Sequence, residues 1–84
     1  MRISWRYHAL EQIAERQFDQ EWVERTILAP EWTEPDRRDP ELTRLFRSIP
    51  ECGGRVLRVV VAFEGDDRCR VITVLLDRDA KRPR

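Results

Sequence analysis

His8 is the single histidine of the chain, and fifteen of the sixteen other basic side chains are arginines. Proton transfer near neutral pH therefore falls to one imidazole, and anion recognition to guanidinium groups. His8, Gln12 and Arg16 stand at i, i+4 and i+8, a spacing that makes one polar row on a helix. Arg16 is then about 12 Å along the axis from His8, so the helix alone does not build a site. Arg44, Arg47 and Arg58 fall in stretches that read as strands, where a planar guanidinium can take a phosphate or carboxylate through two N–H groups. The candidate catalytic set is His8 as general acid or base with Arg16, Arg44 and Arg58 on charged oxygens; Gln12 and Arg47 are candidate substrate-binding residues. Which of Arg44 and Arg47 faces the helical row depends on register, because a one-residue slip reverses it. The structural alternatives are plain. His8 serves as a cap or bonds a strand end, Arg16 pairs with Glu15 or Gln12, and the strand arginines pair across to acidic neighbours.

The elements that must position these residues follow from periodicity. Residues 7–30 read as a helical hairpin. In its first helix Tyr7, Leu10, Ile13, Ala14 and Phe18 share the side opposite His8, Gln12, Glu15 and Arg16. Asp19 is an N-cap for the second helix, with Phe18 and Val23 placed as a hydrophobic staple. Pro30 stops that helix near Leu28. Pro30 and Pro35 bracket residues 31–36, which makes that stretch an edge strand anchored by Trp32. Residues 42–49 read as the next strand, ended by Pro50 and the Gly53-Gly54 pair. Residues 55–63 form the strongest strand, with Leu57, Val59, Val61 and Phe63 toward the core, and its near-continuous apolar character implies a central position. Residues 69–76 fit an antiparallel neighbour, and residues 2–5 offer a short strand before the first helix. The expected fold is α+β, an N-terminal helical hairpin packed on one face of a three- to four-stranded antiparallel meander. Residues 1–77 make the single domain and residues 78–84 a basic, flexible tail.

Composition narrows the chemistry. Eighty-four residues make one small domain. The formal net charge is zero, but residues 1–41 carry six basic and ten acidic side chains and residues 42–84 ten and six, so the two halves have opposite sign. Cys52 and Cys69 are too few for a metal centre, do not form a Cys-x-x-Cys pair, and flank a strand roughly 30 Å long, which argues against bonding to each other. No Gly-rich phosphate loop, Ser-His-Asp order or metal-ligand spacing is present, so neither metal nor cofactor is expected. The chain has no apolar run long enough for a signal peptide or a membrane span, and a cytoplasmic protein without membrane attachment is expected.

The pattern His8-Ala9-x-x-Gln12-Ile13-x-x-Arg16-x-Phe18, then Trp22-Val23 and an Ala29-Pro30-Glu31 exit, resembles domain-of-unknown-function family 4258, a group of small bacterial proteins. The resemblance covers nearly the whole chain. Gln12 stands where Arg is common in that family, and Gln17 where Gly is usual. A Gln at a helix C′ position would cost about 1 kcal/mol. By fold-level analogy the arrangement also resembles RelE- and BrnT-type toxins. That resemblance implies a small ribonuclease acting through His8 and arginines, with RNA as substrate and an antitoxin or other protein as partner. The alternative is a non-catalytic protein-interaction module, motivated by the Pro-bounded edge strand, the three tryptophans and the zero net charge.

Overall fold

A computed structural model describes residues 1–83; Arg84, the last residue of the expected tail, lies outside the described residues. The order of elements is β1 (Arg2–Trp5), α1 (Tyr7–Arg16), α2 (Gln20–Leu28), β2 (Trp32–Pro35), β3 (Thr43–Ile49), a 3-10 turn (Pro50–Cys52), β4 (Arg55–Phe63) and β5 (Arg68–Leu76).

β4 is the strand around which the sheet is built. Leu57, Val59 and Val61 are fully buried on the helix side, while Arg58 and Val60 point to the other face. β3 and β5 flank it in antiparallel register, with Leu45 opposite Val59 and Phe46 opposite Arg58 on one side and Leu57 opposite Leu76 on the other. Between Val60 and Val61 the register shifts: Val60 faces Thr73 and Val61 faces Val71, which leaves Ile72 as the extra residue of a bulge. β2 adds antiparallel to β3 as the outer strand, the edge position that the flanking prolines demand.

The expected antiparallel meander of three to four strands is corrected in two respects, strand number and one pairing direction. The sheet has five strands in the order β1-β5-β4-β3-β2, and β1 pairs parallel to β5, Arg2 with Arg68 through Trp5 with Val71. A parallel neighbour requires a long connection, and everything from α1 to β4 supplies it. The two helices lie on one face, where Ala9 and Ile13 of α1 and Val23 and Ile27 of α2 join Leu45, Ile49, Leu57, Val59, Val61, Cys69, Val71 and Val74 in one core. Both cysteines are free.

The buried side of α1 also differs from the expected stripe. Tyr7 is 77% and Leu10 40% exposed, whereas Ala9 is fully buried. Ala9 and Ile13 lead the inner face because the helix lies along β5 with little room, and a small residue lets the backbones approach. α1 ends in a Schellman motif: Gln17 N–H donates to the Ala14 carbonyl at 3.3 Å and Phe18 N–H to Ile13 at 3.0 Å, with Gln17 at φ 56°. Phe18 then packs on the core beside Trp22, their ring centroids 6.4 Å apart. Asp19 caps α2 by accepting from Glu21 N–H at 2.9 Å, as the sequence predicts.

Gln17 is the one non-glycine residue at positive φ among the described residues, and its side chain is exposed. Gln17→Gly is expected to stabilise the fold by about 0.5–1 kcal/mol and raise Tm by about 2–8 °C, measured by thermal unfolding.

Candidate functional site

Strand register assigns each candidate arginine to a face. Arg47 lies opposite Leu57 on the helix side, and its Nη1 donates to the Ala29 carbonyl at 2.6 Å, tying the end of α2 to β3. Arg44 lies opposite Val60 and shares the open face with Arg58, one strand over. His8 and Arg16 are exposed on α1, in the helical layer across the sheet from that pair. The structure therefore brings Arg44 and Arg58 together and leaves His8 and Arg16 apart from them.

Gln12 is turned inward to the sheet edge. β1 ends at Trp5 opposite Val71, which would leave the outer edge of β5 unpaired beyond that point. Gln12 Oε1 takes over there, accepting from Val74 N–H at 2.8 Å and from the Thr73 hydroxyl at 3.1 Å. Its carbonyl oxygen acts as the next acceptor of a strand that has stopped.

On the open face each guanidinium is held by a carboxylate that sequence reasoning did not assign. Arg44 Nε donates to Asp36 Oδ1 at 2.9 Å, with both side chains about nine-tenths buried. Arg58 Nη1 donates to Asp77 Oδ2 at 3.0 Å, and Arg58 Nε is buried with no partner among the described residues. Arg44 and the Arg58–Asp77 pair line a groove of about 320 Å³ with Phe46, with Arg37 and Lys81 as further cations and Glu34 and Asp79 as further anions. Neither His8 nor Arg16 lines it. Beside it the Trp32 ring stacks on Phe46, centroids 4.7 Å apart and planes 5° from parallel, a consequence of their direct cross-strand pairing. A cue for Asp36 was available in the sequence: it opens the turn that precedes β3, and its Oδ2 accepts from the N–H groups of Arg38 and Asp39, the usual behaviour of Asp in turns. Asp77 carries the same cue at the end of β5, where its Oδ1 accepts the Asp79 N–H at 3.0 Å.

Three carboxyl groups titrate below their ordinary range. Arg44 lowers Asp36, aided by the turn N–H groups. The Ser48 N–H lowers Glu31, with help from Arg82. A two-pronged bond from Arg25, at 2.9 and 2.8 Å, brings Glu51 to about 2. No cluster of three or more metal-ligating side chains is present among the described residues. No described helix is long and apolar enough to cross a membrane.

A family model described as Domain of unknown function (DUF4258) matches residues 5–75. Comparisons with curated proteins and with solved structures return no match.

Gln12→Ala is expected to destabilise the fold by about 1–3 kcal/mol in urea titrations, because the Val74 N–H loses its acceptor. The depressed carboxyl pKa values set the acid response. Their stabilising effect is full above the unfolded values, 3.8 for Asp36 and 4.5 for Glu31 and Glu51, and is lost as pH falls through the folded values, about 2 for Glu51. The urea midpoint should hold steady from pH 7 to about 5 and fall below about 4, with a smaller fall in Asp36→Asn.

Proposed function

Since the chain belongs to the DUF4258 family, matched over residues 5–75, a grouping whose description leaves activity open, we propose from the site itself that the domain binds RNA on its open sheet face, in the manner of a small ribonuclease toxin. The single observation that carries this reading is the pair of arginines on adjacent strands, Arg44 and Arg58, each held by a carboxylate on one edge only. Arg44 is engaged through Nε, and neither of its Nη groups has a partner among the described residues. A guanidinium held in this way offers its remaining N–H groups to a phosphate without losing side-chain entropy on binding. The partly buried Trp32 beside the groove suits an unpaired base, because every base has a face on which to stack.

Strand cleavage needs a group that moves protons within reach of the bound phosphate. In the groove such groups are the carboxylates Glu34, Asp77 and Asp79, while His8 lies across the sheet. Binding is accordingly the core of the reading, and cleavage is measured beside it. The other reading, a non-catalytic protein-interaction module, draws on the unpaired outer sides of β1 and β2, open to strand addition. A domain of that kind leaves RNA unbound at any salt concentration.

The test is fluorescence anisotropy with a short labelled single-stranded RNA at low salt, with cleavage followed on the same samples. Arg44→Gln and Arg58→Gln are each expected to weaken binding about tenfold, the loss of one charge-assisted contact, and the affinity should fall steeply with salt. His8→Ala should leave binding unchanged. Equal affinity in wild type and both arginine variants, or no binding at low salt, overturns the proposal.

A further inference from the structure

The chain does not leave the sheet when β5 ends. Asp77 N–H donates to the Val56 carbonyl at 2.9 Å, which extends the β4–β5 ladder by one residue and roots the following segment. Asp79 N–H then bonds Asp77 Oδ1 at 3.0 Å and turns the chain. At the far end Arg82 Nη2 reaches Glu31 Oε2 at 3.2 Å, beside the start of β2. β5 and β2 are separated by β4 and β3, three inter-strand steps or about 14 Å, a distance that five extended residues just cover. Residues 77–82 thus cross the sheet, and Asp77, Asp79, Ala80 and Lys81 make one wall of the arginine groove. Among the described residues no hydrogen bond ties residues 78–81 to the sheet, so the crossing is held at its two ends. The far end is the weaker: Arg82 is 64% exposed, and exposed ion pairs of this kind open readily.

Resting on the reading of the open face as an RNA surface, we infer that residues 77–82 are a displaceable strap over the groove, and that a phosphate of single-stranded RNA takes the place of the Asp77 carboxylate on Arg58. The chemistry of the exchange is like for like. Asp77 presents one carboxylate oxygen, Oδ2, to Arg58, its Oδ1 being taken by the Asp79 N–H, whereas a phosphodiester has two anionic oxygens and can also approach the unpartnered Arg58 Nε. With the strap in place the groove cations Arg37, Arg44, Arg58 and Lys81 are matched by Glu34, Asp77 and Asp79, with Asp36 on Arg44. Displacement removes two of those carboxylates from the path of the ligand.

Trypsin reads the strap directly, because Arg78 and Lys81 lie within it. Full-length protein is digested with and without a short single-stranded RNA, and cleavage after Arg78 and Lys81 is followed by mass spectrometry, normalised to cleavage after Arg16 across the sheet. Bound RNA should speed strap cleavage about fivefold, and Arg82→Ala should produce a similar gain without RNA. RNA that binds while strap cleavage is unchanged or slowed overturns the strap and leaves the RNA-binding reading standing. Absence of RNA binding removes both. An Arg82→Ala variant that is cut no faster than wild type overturns the role of the Arg82 to Glu31 contact as the latch.

Discussion

The alternation of β4 is the constraint on which the rest depends. Leu57, Val59 and Val61 have no exposed surface, and a shift of one residue in either ladder would drive Arg58 into the apolar core and expose those three side chains. The register with β3 is therefore held by apolar burial, and the placement of Arg44, Phe46 and Arg58 on the open face is its by-product. No polar contact has to select that arrangement. The carboxylates then settle onto arginines whose positions are already decided.

The parallel pairing of β1 with β5 is the second consequence of covering that core. β1 contributes Ile3 and Trp5 to the rim of the buried cluster, yet it is only four residues long and leaves part of β5 uncovered. Gln12 completes the edge. An amide suits this task because its carbonyl accepts two hydrogen bonds at once, whereas an arginine has donors only. Gln12 is thus doing strand work, and the row from His8 to Arg16 is interrupted by a side chain turned to the sheet.

Ion pairs bridge the two halves of opposite charge. Asp36 with Arg44 and Glu31 with Arg82 join the acidic first half to the basic second, and Arg25 with Glu51 joins them in the opposite sense. Folding interleaves the halves, because β2 from the first lies on β3 from the second, and the strap returns from β5 to the start of β2. A net charge of zero is therefore compatible with a groove in which cations and anions are separated by a few ångströms, the arrangement on which exchange of a carboxylate for a phosphate relies.

Much of the architecture was legible in the residues themselves. Asp19, Phe18 and Pro30 announced the limits of α2; Pro30 and Pro35 announced an edge strand; and the run from Arg55 to Phe63 announced the central one, because caps, ring constraints and apolar alternation act within a few residues of chain. The inner face of α1 follows the apolar spacing only in part: Ile13 and Phe18 pack on the core, but Tyr7 and Leu10 are exposed and Ala9 is what fits against β5, and fit depends on the neighbour. The partner of β1 lies sixty-six residues away, and nothing in Arg2 to Trp5 encodes it. The division of the candidate residues into His8 and Arg16 on one layer, Arg44 and Arg58 on the other, required the register of three strands at once. Local chemistry determined which elements form and where they stop; only the tertiary structure decided which side chains meet, because register and face are set by burial summed over the whole sheet.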